Sequence, residues 1–221
     1  MCRKGPPRSG SKSNKGFSPS RPCSSQRELE RRRSGPATVT VIHGENIVLR
    51  PIREEDYPLL VKWGQDPELS RLLEGDYPQS VSECPAWHRK VVSDRHRQLW
   101  GIELIGVGLI GDLELDHIAW RSGDAELRIR IGERQHWDHG YGTEAVTLLL
   151  AHAFGPMNLQ RVYLRVFSFN ERAIRCYSKA GFKREGVLVR RTADGERRQV
   201  FLMRILRDEF LRVPRQRAAA G

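Results

Sequence analysis

Hydrophobic and polar positions alternate with two different periods along this chain, and the switches between them mark its elements. Alternation begins at Val39 and resumes over Asn46–Arg50, a first strand closed by Pro51. Tyr57, Leu60, Val61 and Trp63 then fall at helical spacing behind Glu54, Glu55 and Asp56, acids that suit a helix N-terminus, so a helix is expected over 54–63. Further helices are expected over 67–73 and 83–92, separated by Gly75, Asp76 and Pro78. Three β runs follow, over 99–105, 108–115 and 125–131, and their short links at Gly106 and Arg121–Asp124 make them antiparallel neighbours. In the third run Leu127, Ile129 and Ile131 share one face, which leaves Glu126, Arg128 and Arg130 on a polar opposite face.

After Gly140 the period changes to 3.6, with Ala145, Leu148, Leu149, Ala153 and Phe154 forming a stripe that stops near Gly155-Pro156. A strand over 161–167, a helix over 170–179 ended by Gly181, and two β runs at 186–191 and 199–205 complete the pattern. Asp194-Gly195 between the last two is a hairpin signal. No internal repeat is present. The order of strands and helices defines a mixed α/β (α+β) domain.

The chain has 221 residues, 38% of them hydrophobic, enough for one core and one domain. Its net charge of +11 suggests a nucleic-acid partner until the charge is located. Residues 1–36 hold ten Lys or Arg against Glu28 and Glu30, and Arg212, Arg215 and Arg217 lie at the other end, whereas 37–211 is balanced. Contact with nucleic acid or the ribosome is therefore expected only through the basic tail. Residues 1–36 lack the apolar surface to offset ordering entropy and are expected to be disordered, followed by a domain over 37–211 and a short basic tail over 212–221. The sequence shows neither an apolar signal core nor a run of about 18 apolar residues, so no membrane association is expected. Cys2, Cys23, Cys84 and Cys176 form no disulfide or zinc spacing, which fits a cytoplasmic protein.

The segment Ile131–Ala145 runs from a strand through Gly140 and Gly142 into a helix, a place where unpaired amides attract anions such as a diphosphate. Gly140-Tyr-Gly142-Thr-Glu-Ala145 also matches the dinucleotide pattern G-x-G-x-x-A. That fingerprint belongs in a first βαβ unit with an acid about 20 residues later; here it comes late, and the following strand offers Arg161 and Arg165 instead. A plain helix-start loop is the third reading. In the second informative segment, Asn170, Ala173 and Tyr177 share a helix face that leaves room for a slender ligand arm. An N-cap at Asn170, a core edge at Tyr177 and a stop at Gly181 explain the same residues without a ligand.

Taken together, the loop Trp137-Asp-His-Gly140-Tyr-Gly142 and the set Asn170, Ala173, Tyr177, Gly181, Phe182 resemble the cofactor motifs of the GNAT superfamily. Trp137 replaces the usual Arg or Gln, as in the branch similar to ribosomal-protein N-terminal and polyamine acetyltransferases. The resemblance extends to Asn46–Pro51, Leu109–Gly111 and Asp194–Met203, covering about residues 45–210. It implies a twisted, mostly antiparallel sheet flanked by helices, with splayed strands forming an acetyl-CoA cleft. It also implies direct attack of an amine on the thioester in a ternary complex, without metal.

On this resemblance, Ile131, Gly132 and Glu133 would pair with the pantetheine arm. Trp137, Asp138, His139, Gly140, Tyr141, Gly142 and Thr143 would form the diphosphate loop, and Asn170 and Ala173 would touch the cofactor. Tyr177 would protonate the departing thiolate. Glu126 is the candidate base, the rival reading being an exposed carboxylate paired with Arg128 or Arg130. His136, Asp138 and His139 crowd the loop without a metal-site spacing, and Cys176 reads as a filler. The acceptor is expected to be a protein N-terminal α-amine, with a polyamine, aminoglycoside or amino sugar as alternatives, and the protein a monomer or homodimer. Asp66, Glu68, Glu74 and Asp76 either favour a cationic substrate or form a solvated helix face. A non-catalytic acyl-CoA-binding domain is the rival from another class.

Overall fold

The computed structural model describes residues 39–72, 77–191 and 195–212. The tail over 1–36, the turn residues Gly75, Asp76 and Asp194, the acid Glu74, and all of the C-terminal tail but Arg212 lie outside them.

Two short strands, β1 (Ile42–His43) and β2 (Ile47–Arg50), lead through a 3₁₀ turn at Glu54–Asp56 into α1 (Tyr57–Gln65), α2 (Pro67–Leu72) and α3 (Cys84–Ser93). An antiparallel meander follows: β3 (Gln98–Leu104), β4 (Gly108–Ala119) and β5 (Asp124–Ile131). Then come α4 (Tyr141–Phe154), β6 (Arg161–Phe167), α5 (Glu171–Lys179), the hairpin β7 (Lys183–Arg191) and β8 (Arg197–Leu206), and α6 (Arg207–Arg212). The eight strands form one sheet in the order β1-β2-β3-β4-β5-β6-β8-β7.

Every pairing is antiparallel except β5 with β6, which are parallel because α4 carries the chain across between them. That pairing covers only Asp124, Ala125 and Glu126 against Arg161, Val162 and Tyr163. Beyond Glu126 the two strands part, leaving a wedge in the sheet between the C-terminal half of β5 and the end of β6. The wedge, where backbone groups lack a neighbouring strand, is the feature that positions the site.

Strand alternation divides the apolar residues between two cores. Trp100, Ile102, Leu113, Leu115, Leu127, Val162 and Leu164 face α4, whose Ala145, Val146, Leu149, Leu150, Ala153 and Phe154 are all buried against them. On the opposite face Leu99 and Leu109 meet Tyr57, Leu60, Val61, Trp63, Leu69 and Val91 of α1–α3.

Two departures from the sequence expectations lie close to the site. β4 runs on to Ala119, past the expected end at Leu115, through a register shift between Asp116 and Ala119 with His117 at φ 52°. Polar Asp116 and His117 interrupt the apolar alternation there, so the pattern stops while the strand continues. The polar face of β5 is also buried: Glu126 is 4% and Arg130 3% exposed. Arg130 is held between the Trp63 and Tyr77 rings, with its Nε donating to Asp112 at 2.7 Å.

Candidate functional site

The wedge opens into a cleft of about 170 Å³ walled by the end of β5, the loop before α4, the first turn of α4, and α5. Each wall has a local cause. The chain leaves β5 through a 3₁₀ turn at Arg134–His136, and the left-handed conformations of Asp138 (φ 62°) and Gly140 (φ 89°) then turn it into α4. Gly140 suits this position because it carries no Cβ. It offers no side-chain cap to the amides of the first α4 turn, which have no intrahelical acceptor, and Tyr141, Gly142 and Thr143 of that turn line the cleft. Glu144 anchors that turn from behind, accepting from the backbone N–H groups of Glu45 (2.7 Å) and Asn46 (2.9 Å) and from Asn46 Nδ2 (3.0 Å).

Ile131, Trp137, Asp138, Gly140, Tyr141, Gly142 and Thr143 line this cleft with Asn170, Ala173 and Tyr177, so most of the expected cofactor residues converge. Three do not. Gly132 is buried against α1, where a Cβ would lie 2.1–2.4 Å from Trp63 ring carbons; its glycine serves packing. Glu133 accepts from Lys62 Nζ (2.7 Å) and Trp63 Nε1 (2.9 Å); burial alone would raise its carboxyl, but these bonds hold it below the usual range. His139 lies outside the cleft, stacked on Tyr141 with ring centroids 5.8 Å apart. Gly132 and Glu133 lie away from the cleft because the chain beyond Ile131 turns under α1.

Trp137 donates from Nε1 to the Ile131 carbonyl at 2.8 Å, so that carbonyl is already engaged. Asn170 takes the N-cap role and also lines the cleft. Its Oδ1 caps α5 by accepting from Ala173 N at 3.2 Å, which leaves the amide NH2 as its donor toward the cleft. Tyr177, one helical face along, is 6% exposed, and burial followed by the adjacent Cys176 pushes its hydroxyl pKa up. It lines both the main cleft and a smaller pocket of about 40 Å³ beside it. Cys176 receives a hydrogen bond from Thr143 Oγ1 (3.5 Å), and burial raises its thiol, consistent with a packing role.

Glu126 lies in the smaller pocket, beside the point where β5 and β6 part. The structure differs from the reading of Glu126 as an exposed carboxylate paired with Arg128 or Arg130. It is not an exposed carboxylate, and its main partner is on the neighbouring strand: Arg165 Nε and Nη2 donate to its two oxygens at 2.8 and 2.9 Å. These bonds raise the Arg165 guanidinium pKa. Arg128 is 3.8 Å away and pairs more closely with Asp116 (3.1 Å). Exposed His117 on the β4 bulge has Nδ1 at 3.3 Å from Asp116 and 3.6 Å from Glu126.

The sequence reading missed the cations of the cleft. Arg172, Arg175 and Lys179 of α5 line it together with Arg130 and Arg165, and the Arg172 guanidinium lies 3.3 Å from the centroid of the Trp137 ring. Their spacing of three and four residues on the Asn170–Tyr177 helix was the available signal. No group of three or more His, Cys, Asp or Glu suited to a metal occurs among the described residues. Among those residues, no helix is long and apolar enough to cross a membrane.

A mixed sheet with one wedge between parallel strands, an amide-rich helix start at its mouth and a buried tyrosine at its inner end is the arrangement of an acyl-CoA-dependent transferase. The family model for the acetyltransferase (GNAT) domain matches residues 46–183. The chain belongs to that family and is an N-acetyltransferase. It is 27% identical over 169 residues to the spermidine N(1)-acetyltransferase of Escherichia coli, covering 75% of this chain and 89% of the relative. It is 29% identical over 134 residues to that of Vibrio cholerae, covering 60% and 77%. The crystal structure of the Vibrio cholerae spermidine N-acetyltransferase in complex with CoA and spermine superposes with a TM-score of 0.70 at 25% identity, covering 76% of this chain and 99% of that one.

Proposed function

We propose that the wedge between β5 and β6 takes acetyl-CoA and that the smaller pocket presents a primary amine to it. The observation that carries this reading is the position of Tyr177, a buried phenol that lines both spaces. The free amides of the first α4 turn, with Arg172, Arg175 and Lys179, fit the phosphates of the coenzyme by charge and by hydrogen-bond donors. The amine nitrogen attacks the thioester carbonyl carbon, the C–S bond breaks, the departing thiolate takes the Tyr177 hydroxyl proton, and the proton shed by the nitrogen as it becomes an amide returns to the phenolate through solvent. The raised pKa keeps that proton in place until it is needed.

Glu126 is assigned here to attracting and orienting the incoming ammonium. Its two oxygens are oriented by Arg165 Nε and Nη2 at the edge of the smaller pocket, where an incoming ammonium would meet them. The amine must be neutral when it attacks, which favours an α-amine, with an ordinary pKa of about 7.7–8.0, over an alkyl amine near 10.4. A peptide N-terminus is accordingly the first acceptor class. A polyamine is the second, favoured by the activity in the names of the relatives. Calorimetry with acetyl-CoA, followed by thiol-release assays on an N-terminal peptide and on spermidine, tests the reading. Folded protein that takes up no acetyl-CoA would refute it.

A further inference from the structure

The smaller pocket has charged and apolar walls, and the charged ones already have partners. Arg165 donates to both oxygens of Glu126 at 2.8 and 2.9 Å, Arg128 pairs with Asp116 at 3.1 Å, and Arg190 is engaged as well. A carboxylate offers about four lone-pair directions, so the two bonds from Arg165 leave Glu126 able to accept from one ammonium. Recognition of the rest of the acceptor falls to the apolar walls, which are Leu72, Leu127, Ile129, Phe167 and Val200.

Those walls continue outward along the sheet. Phe167 of β6 is paired with Val200 of β8, and Val200 with Leu188 of β7, so the three side chains stand in one row on the face that lines the pocket. The two inner members are buried, whereas Leu188 at the outer end is 44% exposed. Phe169, in the turn after β6, stacks on Phe167 with ring centroids 5.2 Å apart and is 48% exposed. Two large apolar side chains therefore meet solvent as a continuation of the pocket wall, unlike apolar residues scattered singly over a surface.

We infer that the acceptor is a primary amine with an apolar side chain beside the reacting nitrogen, recognised by Phe167, Val200, Leu188 and Phe169. The inference rests on the proposed function of the same site and narrows it: in a peptide acceptor, the first residue is apolar. The ammonium meets Glu126 where β5 and β6 part, and the side chain follows the row toward Phe169 and Leu188. A space of about 40 Å³ holds about three water-sized groups, which suits a branched side chain of about three or four carbons. Such a group, laid against Phe169 and Leu188, removes apolar surface from water on both partners. A hydroxyl or carboxamide in its place leaves hydrogen bonds unmade, because the polar groups beside it are engaged. Amino sugars and aminoglycosides, hydroxylated around their amines, fit this pocket poorly.

Near-isosteric acceptor pairs test the inference. With saturating acetyl-CoA, thiol release is followed for the peptide amides Leu-Ala-Ala and Asn-Ala-Ala, for isoamylamine and β-alaninamide, and for glucosamine. In at least one pair the apolar member should exceed its polar partner at least tenfold in kcat/KM, and glucosamine should fall below that member. Which pair responds separates a peptide source from a small-molecule source. Combining Phe169→Ser with Leu188→Ser should cut the preference at least fivefold by raising KM for the apolar member, with acetyl-CoA affinity unchanged by calorimetry. The wild-type comparison stands whatever the stability of that variant. Equal rates within both pairs, an unchanged preference in the folded double variant, faster turnover of glucosamine, or no turnover of any amine by protein that binds acetyl-CoA would each overturn the inference. Absence of acetyl-CoA binding would instead overturn the reading of the cleft.

Discussion

Replacing Tyr177 with phenylalanine removes one oxygen from the junction of the two pockets and leaves the rest of the residue in place. The ring still packs on Phe182, with centroids 5.9 Å apart, and on the core beneath α5. Its hydroxyl makes no hydrogen bond to protein among the described residues, so the fold loses little: about 1 kcal/mol at most, or a Tm shift within about 4 °C. The chemical step loses its proton donor, and general acid catalysis is worth about 10²–10⁴-fold. We therefore expect kcat to fall at least about 100-fold, equivalent to about 2.7 kcal/mol in the barrier, with acetyl-CoA binding unchanged.

The assay is stopped-flow thiol release at saturating acetyl-CoA, with calorimetry on the same samples. Burial adds a second expectation. Because it raises the phenol above its ordinary pKa of about 10, the group stays protonated across the working range, and the wild-type rate should show no alkaline limb from Tyr177 below pH 10. A Tyr177→Phe enzyme within threefold of wild-type kcat would refute the assignment. An alkaline limb below pH 10 that disappears in the variant would refute the account of its pKa.

Glu144→Ala should destabilise the fold by about 2 kcal/mol, lowering Tm by roughly 4–8 °C, because three donors of the loop before β2 lose a charged acceptor; thermal unfolding measures it. Gly132→Ala should cost about 1–3 kcal/mol as its Cβ displaces the Trp63 ring, read from urea midpoints. His88 and His152 are held by burial below the ordinary pKa of about 6.5. Both forms of the protein leave them neutral above that pH, and the unfolded chain takes up protons first as pH falls through it. Stability should decline from pH 7 toward the lower folded-state values, and His152→Gln should flatten part of that slope in thermal unfolding at stepped pH. Arg172→Gln with Arg175→Gln should weaken acetyl-CoA binding at least fivefold and make it less salt-dependent, measured by calorimetry at two ionic strengths.

Much of this protein was legible in the order of its residues, since periodicity and glycine spacing are local properties of the chain. The strands from Gln98 to Ile131, the α4 stripe from Ala145 to Phe154, and the shared face of Asn170, Ala173 and Tyr177 all follow from repeats of two or 3.6 residues, which the backbone imposes whatever surrounds it. The family resemblance rested on the same two motifs. Tertiary structure alone decided what meets across the sheet. No local pattern indicates that β5 and β6 stay paired for only three residues, that Gly132 packs beneath Trp63, or that Arg165 reaches Glu126 from 39 positions away. Those contacts join segments distant in sequence, and their energies depend on burial and geometry that exist only once the chain has folded. The lining of the smaller pocket belongs to this second kind, because β5, β6 and the β7–β8 hairpin each contribute only part of it.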